Sequence, residues 1–168
     1  MAQIDVSKIT DEQISRFNEE KTAILSKHEG TWVHDIPFFL VPVDIVMGFR
    51  GNCFTAQEFY LSEVWKESTH WNAGLVKDGK IVIFMYGYHD KLERYLYAAR
   101  VGACRSVQSY GLEVWELVFK EFERIAREKG CTYLWTTTIR KGEVRKLMKL
   151  ENRGKLNTET FILDKKLD

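Results

Sequence analysis

The chain has only two prolines and three cysteines among its 168 residues, and neither sign of charge dominates it. With an apolar fraction of 45% and an aromatic fraction of 13%, this composition excludes a disordered chain and indicates a folded globular protein. A net charge of +1 gives no reason to expect nucleic acid as a partner. No stretch approaches the roughly 18 to 20 apolar residues that a membrane span needs, so we expect no membrane partner.

The cysteines are odd in number and widely spaced, which is typical of buried thiols in a reducing compartment. The amino-terminal residues 1–5 show no basic region followed by an apolar run, so we expect a cytoplasmic protein. The histidines fall in no metal-like spacing with each other or with the cysteines, and we expect no metal. Gly-x-Ser-x-Gly, Walker and paired-glycine dinucleotide motifs are also missing from the sequence.

Charge is unevenly distributed along the chain. From Lys120 onward there are 13 basic and 8 acidic residues, or +5, and the excess concentrates in Arg140 to Lys155. Two interpretations of this basic excess stay open: a solvated helix face, or a contact with an anionic ligand such as a nucleotide phosphate.

The first half of the chain predicts mostly short elements. A capping box at Thr10 predicts a helix up to about Lys27. The apolar run Pro37 to Phe49, interrupted by Pro42, predicts an edge strand or two short strands. A second capping box at Thr55 predicts a short helix through Trp65.

An antiparallel meander of three strands follows. Asp78-Gly79 joins the predicted strands Asn72–Val76 and Lys80–Tyr88, and this dipeptide between apolar runs is among the strongest hairpin signals. A reversal at His89–Lys91 leads to the third strand, Leu92–Ala103.

The stretch from Tyr95 to Thr138 is the one place where the sequence hints at a ligand. A turn at Gln108–Gly111 precedes an amphipathic helix, Leu112–Lys129, and Gly130 leads into a strand, Cys131–Ile139, predicted to pair parallel to the third meander strand. Unpartnered N–H groups and the dipole make such a helix start a cradle for phosphate. A helix at Gly142–Asn152 and a strand at Thr160–Leu163 complete the prediction.

This order of elements resembles the GNAT family of acyl-CoA-dependent N-acetyltransferases. The local match is Ile125-Ala126-Arg127-Glu128-Lys129-Gly130-Cys131 with Leu134-Trp135-Thr136, and the likeness covers about Ala56 to Leu167. It implies one GNAT-like domain over residues 1–168. The implied fold is α+β of the three-layer α/β/α type, with a mixed, mostly antiparallel sheet and a helix crossover.

The resemblance also implies a function: transfer of an acetyl group from acetyl-CoA, as cosubstrate, to a primary amine. Acetyl-CoA would enter where the third meander strand and the fifth strand part. The implied cofactor-binding residues are Val101, Gln108, Ser109, Tyr110, Gly111, Leu112 and Thr138. The acceptor amine or protein partner is not implied, and oligomerisation is left open.

The sequence departs from the family pattern at three positions. Glu113 and Trp115 stand where glycine or alanine would let the backbone close around phosphate, and Leu150 stands where a catalytic tyrosine is common. These departures favour an alternative, a catalytically inactive GNAT-like binding or structural protein such as an internal virion protein of a phage. An unrelated α+β interaction module is a third interpretation.

Residues that could be recruited for proton transfer are Tyr86, Tyr88, His89 and Glu93.

Overall fold

The computed structural model describes residues 25–49, 56–108, 112–137, 155–157 and 162–167, together with Glu12, Glu19 and Ala23. The strands are β1 Trp32–His34, β2 His70–Lys77, β3 Lys80–Asp90, β4 Tyr95–Ala103, β5 Tyr133–Thr137, β6 Lys155–Asn157 and β7 Ile162–Lys166. The α-helices are α1 Val43–Gly48, α2 Ala56–Leu61, α3 Arg105–Gln108 and α4 Leu112–Glu128. Short 3₁₀ helices span Phe38–Leu40 and Val64–Lys66.

The strands form one sheet in the order β1-β2-β3-β4-β5-β7-β6. Every neighbouring pair is antiparallel except β4 and β5, which are parallel and are connected by α4. A parallel pair needs such a crossover because the chain must return to the starting edge of the sheet. The predicted mixed, mostly antiparallel sheet with a helix crossover is confirmed.

The β2–β3 hairpin also follows the prediction. Asp78 and Gly79 adopt φ angles of 54° and 71°, the left-handed backbone of a tight hairpin turn. The Glu29 carboxylate accepts hydrogen bonds from the Asp78 N–H at 2.7 Å and the Gly79 N–H at 3.2 Å. A side chain from outside the hairpin therefore holds its turn.

Helical segments cover both faces of the sheet. His70 and Trp71 are neighbours in β2, so their side chains lie on opposite faces. Trp71 stacks on Phe122 of α4 with ring centroids 5.5 Å apart, and His70 meets Phe38 edge-on at 5.3 Å. The three-layer α/β/α arrangement is confirmed.

The prediction of strands in Pro37 to Phe49 is wrong. Each proline is instead followed at once by helix: Phe38–Leu40 after Pro37, and α1 after Pro42. Proline suits a helix start because its missing N–H would have no partner there and its φ is already near the helical value. The run is apolar because Ile45 and Val46 are buried against the sheet, and the edge strand is β1.

Several boundaries differ from the prediction. The helix expected through Trp65 ends at Leu61, and the closing strand is β7, paired with an unpredicted β6. Cys104 and Cys131 are buried thiols as expected, and burial raises the pKa of Cys104 to about 11. The helix predicted at Gly142–Asn152, Cys53 and most of the helix predicted up to Lys27 lie outside the described residues.

Candidate functional site

The parallel pairing of β4 with β5 covers only the first part of β4. Their ladder joins Tyr95–Ala98 to Tyr133–Thr136, and among the described residues it ends there. β4 continues beside β3 as far as Ala103, whereas Thr137 is in register with Ile162 of β7. Among the described residues each strand thus keeps its outer neighbour where the β4–β5 ladder ends.

A β-bulge lies where the β4–β5 ladder ends. Ala98 is in register with Gly87 and Arg100 with Tyr86, so Ala99 is an extra residue in β4. A bulge bends its strand and increases the local twist. The bend therefore falls immediately after the last residue of β4 that pairs with β5.

Side chains hold the two carbonyl groups before the bulge. The Tyr97 carbonyl oxygen accepts a hydrogen bond from Trp71 Nε1 at 3.0 Å, and the Ala98 oxygen accepts one from Thr136 Oγ1 at 2.9 Å. Gly87 is required beside them, because a Cβ there would lie 1.7 Å from the Tyr97 oxygen. Three other strands thus contact the β4 backbone at the end of the β4–β5 ladder.

The long helix begins close to the end of β4. α3 follows the strand directly, and α4 starts at Leu112. Val101 is half-buried on β4, and Gln108 ends α3. Ser109, Tyr110, Gly111 and Thr138 lie outside the described residues, so the predicted cofactor-binding set stays a prediction.

Solved structures provide a comparison for this arrangement, whereas no protein-family model and no curated protein matches the chain. The KacTA–DNA complex superposes with a TM-score of 0.50 at 16% identity, over 81% of this chain and 92% of that one. Tetrahymena GCN5 gives a TM-score of 0.46 at 13% identity, over 95% and 91%. The PaiA N-acetyltransferase of Thermoplasma acidophilum in complex with coenzyme A gives 0.46 at 17% identity, over 56% of this chain.

The chain has a GNAT-like fold. Its sheet order and its helix crossover carry this assignment. Identities below 20% show the fold alone, since one fold hosts many functions. The chain spans 59% of the length of the PaiA chain.

Glu113 and Trp115, which the sequence resemblance sets against small residues, lie in the first turn of α4. Glu113 is exposed in the first turn of the helix. Trp115 is half-buried, and its ring lies 6.0 Å from that of Phe119, one turn further along the helix. The indole therefore packs along α4 with the core residues, while the carboxylate faces solvent.

Three of the four residues considered for proton transfer lie at the other end of β4. Tyr88 and His89 are in register with Tyr97 and Leu96, and Glu93 lies in the β3–β4 loop. Burial, then the charge of Lys129, lowers the pKa of His89. Tyr86 is in register with Arg100, beyond the bulge, but is buried among aromatic rings and serves packing.

Sequence reasoning missed the bulge and its supports. An isolated glycine inside a strand pattern signals a bulge or a close backbone approach, and Gly87 carries that signal. The partners Trp71 and Thr136 give no local signal, because they lie on other strands. Among the described residues no three His, Cys, Asp or Glu side chains gather as metal ligands would, and no described helix is long and apolar enough to cross a membrane.

Proposed function

We propose that this chain is a GNAT-type N-acetyltransferase that transfers an acetyl group from acetyl-CoA to a primary amine. One observation carries the proposal: among the described residues the β4–β5 ladder ends at Ala98 and Thr136, while β4 continues beside β3 and Thr137 pairs with β7. An extended ligand can lie between two such strands much as an added strand would. The pantetheine arm of CoA has the length and the amide groups for that position.

The start of α4 lies at the same end of the sheet. Helix N–H groups in the first turn have no partner within the helix, and the dipole favours negative charge there. Leu112, as the first residue of α4, and Val101 on β4 would thus lie along the cofactor, with the pyrophosphate at the helix start. Proteins use this arrangement repeatedly for phosphate groups.

Bound acetyl-CoA supplies a thioester, and the protein supplies position. The amine nitrogen forms a bond to the acetyl carbon, the carbon–sulfur bond breaks, and the proton from the amine reaches the thiolate through solvent. Holding an amine against a thioester removes much of the activation barrier by itself.

A cytoplasmic location remains a prediction from the sequence.

Glu113 favours a second candidate function, a GNAT-like binding or structural protein without transferase activity. Its carboxylate already occupies the first turn of α4, where negative charge interacts favourably with the helix dipole. A phosphate placed at the same helix start would be repelled by it. Acetyl-CoA affinity therefore separates the two candidates.

Calorimetric titration with acetyl-CoA tests the proposal. We expect micromolar binding that Gly111→Asp abolishes and that Glu113→Gln strengthens by a few-fold, because a like charge is removed. Glu116→Gln, also an exposed carboxylate on α4, is the matched control and should leave the affinity unchanged. Absence of heat at millimolar acetyl-CoA would reject the transferase in favour of the second candidate.

A further inference from the structure

Three side chains meet between the edge strand β1 and the crossover helix α4. Glu121 Oε1 lies 2.6 Å from His34 Nε2 and 2.7 Å from Arg124 Nη2, and the two nitrogens lie 2.8 Å apart. The Glu121 side chain is only 8% exposed, whereas that of His34 is 34% exposed and can exchange protons with solvent. We call His34, Glu121 and Arg124 the edge cluster, because β1 lies at one end of the sheet.

The edge cluster lies on the face of the sheet that α4 covers. His34 is in register with Ala73 of β2, and Trp71, two residues before Ala73, stacks on Phe122 of α4. Side chains two residues apart lie on the same face of a strand. The edge cluster therefore joins β1 to α4 in addition to the pairing of β1 with β2.

A count of hydrogens shows that Nε2 of His34 can serve only one of its two partners at a time. With a hydrogen, Nε2 donates to the Glu121 carboxylate; without one, it accepts from Arg124, and no hydrogen lies between Nε2 and the carboxylate. A neutral imidazole exists in both forms, because its one hydrogen can be on either ring nitrogen. A protonated imidazole carries a hydrogen on both nitrogens, so only the bond to Glu121 remains.

Arg124 keeps its partners in either case. Its Nε donates to Glu121 Oε1 at 3.0 Å, and its Nη1 donates to Glu128 Oε2 at 2.6 Å. The guanidinium therefore does not need His34 as an acceptor, and it stays in place when His34 donates to Glu121.

The charges around His34 also favour its protonated form. Among the described residues, Glu121 and Arg124 of α4 face His34, and Glu128 lies on the far side of Arg124. The β2 neighbour Ala73 carries no charge, and the next residue in the chain, Asp35, is exposed. Two carboxylates and one guanidinium leave one negative charge, which a charged imidazole balances.

We propose that the edge cluster is a proton-dependent switch, in which the uptake of one proton by His34 fastens β1 to α4. Loss of that proton returns the imidazole to its two neutral arrangements, and in one of them β1 has no hydrogen bond to the carboxylate. Histidine is the side chain whose charge ordinarily changes between about pH 5 and 8. The switch acts on an edge strand, whose outward backbone groups are open to pairing with another chain.

Amide exchange at the end of β1 tests the switch. The Asp35 N–H donates to the Asn72 carbonyl oxygen at 3.2 Å, so its protection reports whether β1 stays attached to β2. Protection factors are measured by ¹H–¹⁵N NMR on the full-length protein at about pH 5.5 and about pH 8, on either side of the histidine range. Relative to Phe84 in the central strand β3, we expect Asp35 to be roughly 2- to 5-fold better protected at the lower pH, the range of a partly exposed ion pair.

Variants show whether His34 is responsible. His34→Gln places an amide N–H close to the position of Nε2 but does not titrate, so the difference between the two pH values should vanish. Glu121→Gln removes the charge of the acceptor and should reduce the difference, which keeps the test available if His34→Gln does not fold. His28→Gln changes an exposed histidine outside the edge cluster and should keep the wild-type difference.

Equal Asp35 protection at the two pH values in the wild type, or a difference that persists in His34→Gln, would overturn the proposal. Loss of the difference in His28→Gln as well would assign the pH dependence to the protein as a whole and would also overturn it. Because no measurement here contains acetyl-CoA, the outcome is independent of the transferase function proposed above.

Discussion

Trp71 donates a hydrogen bond from its indole N–H to the Tyr97 carbonyl oxygen at 3.0 Å, although β3 lies between their two strands. Gly87 on β3 permits this crossing, because any Cβ there would meet the same oxygen. The indole also stacks on Phe122 of α4. One side chain thus connects the crossover helix to the bulge at the end of the β4–β5 ladder.

Trp71→Phe should lower the free energy of unfolding by about 1 to 3 kcal/mol. Phenylalanine keeps much of the stack on Phe122 but leaves the Tyr97 carbonyl without its donor, and a buried unsatisfied acceptor carries a cost of that size. Chemical denaturation measures the effect. Trp65→Phe, at a half-buried position, should change stability by less than about 1 kcal/mol, and an equal loss in both variants would contradict the role of the Trp71 hydrogen bond.

Gly87→Ala should destabilise the protein by about 4 kcal/mol or more. The added Cβ would sit 1.7 Å from a backbone oxygen, and relief requires β3 to move away from β4. Gly48→Ala is the matched control, since nothing lies within 4 Å of a Cβ there and alanine is the better helix former in α1. Thermal unfolding of Gly87→Ala and Gly48→Ala measures the difference. Similar melting temperatures for the two variants would show that β3 and β4 do not approach each other so closely at Gly87.

The sequence predicts the elements whose signals are local. Asp78-Gly79 marks its hairpin, and the apolar face of Leu112–Lys129 predicts the helix that packs on the sheet. The apolar run Pro37 to Phe49 was predicted as strand but forms helix. A continuous apolar run that is buried by tertiary packing has the same sequence pattern in a helix and in a strand. At the bulge, the β4 backbone contacts Gly87, Trp71 and Thr136 from three other strands, so no single window of sequence contains this arrangement.

Glu121→Gln should destabilise the protein at pH 7 by about 1 to 3 kcal/mol. Glu121 is a buried carboxylate on α4 whose Oε1 lies 2.6 Å from His34 Nε2 and 2.7 Å from Arg124 Nη2. Burial alone would raise the pKa of Glu121, but hydrogen bonds from Arg124 and His34 outweigh it and hold the pKa below its ordinary value of 4.5. The carboxylate therefore stabilises the fold above pH 4.5.

The effect of Glu121→Gln should shrink as pH falls below 4.5, because the native carboxylate is then protonated as well. Denaturation of both proteins at pH 7 and pH 4 measures this, with exposed Glu116→Gln as the control. A destabilisation that is the same at both pH values would show that the charge of Glu121 contributes nothing.

His70 should make the protein lose stability between pH 6.5 and about pH 4. Burial, followed by the nearby charge of Lys129, lowers the pKa of His70 from 6.5 to about 4. The unfolded chain takes up the proton first, so acid favours unfolding, by up to about 3 kcal/mol over this range. His70→Phe, which cannot titrate, should flatten that part of the pH profile. An unchanged profile would mean that His70 takes up its proton at the same pH in the folded and the unfolded protein.

Hydrogen–deuterium exchange with and without acetyl-CoA tests most directly whether acetyl-CoA binds beside β4 beyond the end of the β4–β5 ladder. We predict that acetyl-CoA slows exchange in residues 99–108, from the bulge through α3, and leaves the edge strand Trp32–His34 unchanged. Exchange in residues 99–108 that stays the same at saturating acetyl-CoA would contradict the account.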